Sequence, residues 1–75
     1  MDAEMKRCCE DFGLNVAFYR KKKKINQMRL AELVDVDRSH ISAIELGNNA
    51  PSFALIIKLA KALDISAMQL FDFRG

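Results

Sequence analysis

Gln27–Leu46 reads QMRLAELVDVDRSHISAIEL, and the parsing of this stretch decides the fold. Leu30, Ala31 and Val34 recur at the spacing of one helical face, and Ile41 and Ile44 lie three apart beyond an interruption at Asp35, Val36 and Asp37. Each short helix therefore carries one apolar stripe, and the two stripes face each other across a tight turn. Ala31 falls where the pair is expected to cross, and a small side chain there lets the second helix pack steeply over the first.

The turn has its own chemistry. Asp35 stands where a left-handed backbone is needed, which Asp tolerates better than most residues though less well than glycine. Asp37 holds the N-cap position ahead of Arg38, its carboxylate expected to accept a backbone N–H at the positive end of the helix. With Ile41 and Ile44 inward and about 100° of rotation per residue, Ser39, Ser42, Ala43 and Leu46 turn outward and Arg38 flanks the first turn. Apart from Leu46 that outer edge is thin and polar. Such an edge fits the major groove of DNA, with Arg38 and Ser39 at the leading end where recognition helices meet base edges.

The chain has 75 residues, enough for one small domain and one core. Hydrophobic residues make up 51%, more than so small a core should need, which points to an oligomer. The net charge of +2 is modest, but Arg20–Arg38 carries +4 and the remainder −2, so positive charge gathers beside the proposed groove-reading unit. Cys8 and Cys9 are adjacent, cannot pair comfortably with each other, and read as reduced thiols in the cytoplasm. No metal-ligand spacing, cofactor motif, small-molecule site, signal peptide or membrane-length apolar run stands out.

Outward from the central stretch, Met1–Lys23 reads as one helix with acidic residues at its start and RKKK at its end. Phe12, Val16 and Tyr19 supply its inward stripe, and Gly13 weakens its middle. Leu14 and Phe18 form a second face, expected to pack under the N-terminal residues or else to meet another protein. Lys21–Lys24 is either a solvated helix end or a set of phosphate contacts. Asn26 caps the next helix, so that Gln27 and the free N–H groups of its first turn are placed to hold a phosphate. His40 has no nucleophile or acid partner that would make it catalytic, and is a phosphate or base neighbour or an idle exposed residue. Glu45 is read as a structural partner for Arg20.

Gly47–Pro51 is a loop, and Ser52 caps a helix over Phe53–Leu63. Phe53, Ile56, Leu59, Ala60 and Leu63 are expected to face inward, with Leu55 and Ile57 left over for a second copy. Ser66 and Gln69 have capping-box spacing and open a last short helix carrying Leu70 and Phe71. Met68 and Phe71 complete the expected dimer surface, and Phe73 lies in a tail that frays unless docked.

Phe12-Gly13, Arg20, Gln27, Leu30-Ala31, Asp37-Arg38-Ser39, Ile41-Ser42, Glu45, Gly47, Pro51-Ser52, Leu59-Ala60, Leu63 and Leu70-Phe71 together give the chain a specific likeness. From Phe12 to Phe71 it resembles the lambda repressor and Cro-like (XRE) helix-turn-helix family, and within it the small controller proteins of restriction-modification systems. The resemblance implies an all-α, five-helix domain over 1–75, with a core at 12–71 and a helix-turn-helix at 27–46. It implies a homodimer that binds double-stranded DNA at an inverted repeat and regulates transcription, with no enzymatic activity. Arg38, Ser39, Ser42 and Ala43 are the expected base contacts. Arg20, Lys21, Gln27, His40 and Asn48 are the expected phosphate contacts. Leu55, Ile57, Met68 and Phe71 are the expected dimer residues. The family often has glycine where this chain has Lys24, and basic residues near Asn48 and Asn49. The rival reading is a protein-interaction module, such as an antitoxin or a repressor-binding partner.

Overall fold

The computed structural model describes residues 1–74 and contains five helices: α1 (Ala3–Lys22), α2 (Gln27–Val34), α3 (Arg38–Glu45), α4 (Phe53–Leu63) and α5 (Ala67–Leu70). The expected all-α, five-helix fold is what the chain adopts. α1 lies against α3, α2 packs on both α3 and α4, and α5 closes the domain against α1 and α4.

Side chains start most of these helices. Asp2, Asn26 and Ser52 accept the backbone N–H groups of Met5, Arg29 and Leu55 at 2.8, 2.7 and 3.1 Å. Asp2 therefore sets the start of α1, and Met1 falls outside the helix expected to include it. At α5, Gln69 accepts the Ser66 N–H at 3.0 Å, the reaching-back arm of a capping box. Asp37 departs from expectation: it sits at the N-cap of α3 but makes no side-chain cap bond. It is exposed, and its carboxylate acts only as a negative charge near the helix's positive end.

One device ends four helices. Lys24, Asp35, Gly47 and Asp64 have φ of 63°, 60°, 78° and 60°, all left-handed. In each case the next N–H reaches five residues back: Ile25 to Arg20, Val36 to Ala31, Asn48 to Ala43 and Ile65 to Ala60, at 2.9 to 3.3 Å. This is the Schellman arrangement, and Ile25, Val36 and Ile65 then pack against the core as its hydrophobic clasp. Asp bears the left-handed conformation at small cost, but lysine has no side chain to support it locally. Lys24→Gly is expected to raise stability by about 1 kcal/mol in chemical denaturation. A loss of stability would show that the lysine side chain does something the backbone argument omits.

Val16, Leu30, Val34, Ile41, Ile44, Leu59 and Leu70 are fully enclosed. Each contributes about 1.5 to 3 kcal/mol by leaving water. On α4 Leu59, Ala60 and Leu63 face inward as expected and Ile56 packs partly buried against the core, but Leu55 is buried where Phe53 was expected to be. Phe53 stands about 200° round the helix from Leu55, and it is 79% exposed. Leu14 and Phe18 do not pack under the N-terminal residues, because those residues continue the same unbroken helix. Both stay exposed.

The C-terminal tail is docked. Asn15 Nδ2 donates to the carbonyls of Leu70 and Asp72 at 2.9 and 3.1 Å, and the rings of Phe12 and Phe71 lie 5.1 Å apart with Phe73 against Phe71. Arg74 hydrogen-bonds the Asp72 side chain and holds that carboxyl below its usual range.

Candidate nucleic-acid interface

α3 is the element the core presents. Ile41 and Ile44 are completely buried, whereas Arg38 and Ser39 are exposed and Ser42 and Ala43 are half-buried on the outer edge. Eight residues make a helix about 12 Å long, close to the width of the major groove. No bulky side chain stands on that edge until Leu46, beyond its C-terminal end.

Two backbone contacts fix the pose of α3. Gly13 lets α1 cross the helix at backbone distance: a methyl there would collide with the Ile44 carbonyl and lie 2.6 Å from the Glu45 carbonyl oxygen. At the C-terminal end, Lys6 Nζ donates to the Gly47 carbonyl at 2.8 Å and to Asn48 Oδ1 at 2.9 Å. Neither role was legible beforehand. Gly13 read as a weak point in a helix and as one of the family's motif residues, with no reason for a glycine there, and Lys6 carried no motif.

Arg20 is the main correction among the expected site residues. Its Nε and Nη2 donate to Glu45 Oε2 and Oε1 at 2.7 and 3.1 Å, and Nη1 donates to the Ile25 carbonyl at 3.0 Å. The two side chains are only 11% and 7% exposed. Three of its five N–H donors are taken and the group is nearly enclosed, so Arg20 does not stand at the surface as a phosphate contact would; it ties α1 to α3. The pairing with Glu45 read from the sequence is present.

Gln27 joins this buried pair to the surface. Its Nε2 donates to Glu45 Oε1 at 2.9 Å, and its Oε1 accepts from Arg38 Nη1 at 3.2 Å. One of the expected phosphate contacts and one of the expected base contacts are thus in direct contact at the shared end of α2 and α3. His40 is half-buried, and Lys21 and Asn48 are exposed, although Asn48 is partly occupied by Lys6.

Of the expected dimer residues, Leu55 is withdrawn: it is 6% exposed and belongs to the monomer core. Ile57 is half-buried, and Met68 and Phe71 are 80% and 50% exposed. Phe71 also borders an apolar groove of about 330 Å³ with Met5, Cys8 and Pro51. No described helix is long and apolar enough to cross a membrane.

A family model described as helix-turn-helix matches residues 16–70. The competence pilus inhibition repressor of Acinetobacter baylyi is 39% identical over 61 residues, covering 81% of this chain and 56% of the relative. YqaE of Bacillus subtilis, an uncharacterized HTH-type transcriptional regulator, is 33% identical over 55 residues, covering 73% of this chain and 47% of its own. The chain therefore spans about half the length of the curated relatives it matches. Among solved structures, the restriction-modification controller protein C.AhdI from Aeromonas hydrophila superposes with a TM-score of 0.81 at 38% identity, over 84% of this chain and 96% of that one. This chain belongs to the XRE-type helix-turn-helix family, a family of transcriptional regulators and not of enzymes.

Proposed function

We propose that this chain binds double-stranded DNA as a homodimer at an inverted-repeat operator and so regulates transcription in the cytoplasm. The observation that carries the reading is the two-faced α3, with Ile41 and Ile44 sealed in the core and a slender polar edge headed by Arg38 outside. The likeness to a repressor and to a restriction-modification controller supports it.

In this reading α3 enters the major groove, Arg38 and Ser39 meet base edges, and Ser42 and Ala43 make close contacts behind them. Gln27, Lys21, His40 and Asn48 hold phosphates and fix the docking angle. One such module offers too few contacts for a tight specific complex, so two copies are required. For a twofold pair to read an inverted repeat, its two α3 helices must lie about 34 Å apart, one turn of duplex. Domains of 30 × 24 × 20 Å are large enough for a compact pair to span that distance. Ile57, Met68, Phe71 and the unexpectedly exposed Phe53 supply the apolar surface for that pairing.

The test is selection of bound duplexes from a random pool, followed by Arg38→Ala. The variant should keep its fold and lose preference at one base pair per half-site, worth about 1 to 3 kcal/mol. An unchanged preference contradicts the role given to Arg38. A protein-interaction module has one observation in its favour, the exposed Leu14 and Phe18 on α1, at 65% and 58%. Salt-sensitive, sequence-dependent binding to duplex DNA separates the two.

A further inference from the structure

The hydrogen bonds at the end of α2 run in one direction, and their order carries information. Arg20 is a donor only, so both Glu45 oxygens must act as acceptors toward it. Glu45 Oε1 also accepts from Gln27, and this requires Gln27 to turn its NH2 inward. The amide has one other end, its oxygen, which then faces outward to Arg38. We infer that Glu45 is a specificity-positioning residue: through the Gln27 amide it sets the direction in which Arg38 is presented to a base.

Glu45 lies at the far end of α3 from Arg38 and is almost wholly enclosed, so it touches no nucleic acid itself. The amide needs a fixed partner to have a fixed orientation, because its two ends are nearly equal in size and opposite in hydrogen-bonding sense. A carboxylate already held by a guanidinium supplies that partner. If the amide is reversed, an NH2 faces the Arg38 guanidinium, donor against donor, and the arginine is released. A base-reading arginine held in advance loses less freedom on binding than one that is loose, and this favours the matched base.

This rests on the reading above that Arg38 meets a base edge, and the experiment separates the two. Glu45→Leu made together with Arg20→Met removes both charges of the pair and leaves the Gln27 amide with no acceptor to fix its direction. Affinities are measured for the selected duplex and for one altered at the base pair that Arg38→Ala identifies. In the unaltered protein the ratio should be about tenfold or more. The double variant should reduce it to below about threefold and shift the side-chain amide NMR signals of Gln27. Leu63→Ala, a core change on α4 that loses stability without touching the network, should keep the full ratio. A ratio retained by the double variant, or lost equally by Leu63→Ala, overturns the inference while leaving the function intact. A protein with no Arg38-dependent preference overturns the function itself.

Where the double variant does not fold, the free unaltered protein gives the answer. The Nε of Arg38 should then show a higher 15N order parameter than that of the exposed Arg7, and equal values contradict the inference.

Discussion

Gly13→Ala should destabilise the domain by at least about 3 kcal/mol, the upper end of what overpacking costs. Alanine in place of glycine inside a helix ordinarily gains up to about 1 kcal/mol, so the expected sign is opposite to the one helix propensity gives. The reason is geometric. The added methyl meets the Ile44 and Glu45 carbonyls, which belong to the backbone of α3 and cannot rotate aside as a side chain would. α1 and α3 must separate, and that opens the interface containing Val16 and Ile44. A domain of this length has about 4 to 11 kcal/mol of total stability, so the loss is a large share of it. Urea unfolding checks the result, and a variant equal to or more stable than the parent would mean that the helices do not cross at that glycine.

The second large effect is at Arg20. Arg20→Met should cost about 3 to 5 kcal/mol, because it leaves the Glu45 carboxylate enclosed with only the Gln27 amide as partner. For a domain of this size that lowers the melting temperature by about 12 °C or more. Arg20→Met combined with Glu45→Leu should recover most of the loss, since a buried pair is often replaced at little cost when both charges go. The single variant would also expose a phosphate role: if Arg20 bound DNA, its removal would weaken binding without affecting the unfolding curve. A single variant within about 1 kcal/mol of the parent contradicts the structural role.

These two residues show where the sequence was informative and where it was not. The spacing of Ile41 and Ile44, the caps at Asn26 and Ser52 and the left-handed turn at Asp35 are local properties, and each is present in the fold as read. Gly13 and Arg20 depend on partners far along the chain, at Ile44 and at Glu45, 25 residues from the arginine. Glu45 was legible as a partner for Arg20, but a basic residue beside a lysine run gives no local sign that the pair is enclosed. Lys6 is a similar case, its acceptors lying 41 and 42 residues away.

On α4 the difficulty was of another kind. Phe53, Leu55, Ile56 and Ile57 are apolar on nearly every side of the first turns, so helical period does not choose among faces. The choice is made by how the chain enters from Pro51 and by the shape of the core it meets. As a result Leu55 went inward, Phe53 outward, and the apolar surface left for a second copy differs from the one expected. The polar edge of α3 was legible because its two core isoleucines leave only one arrangement of the other residues.

The central claim is that the outer edge of α3 is the surface that meets duplex DNA. An amide NMR titration of the 15N-labelled protein with its selected duplex tests it most directly. The largest shifts are expected at Gln27 and from Arg38 to Ala43, with Leu14 and Phe18 unmoved. Shifts confined to Leu14 and Phe18, or none on addition of duplex, would contradict the account.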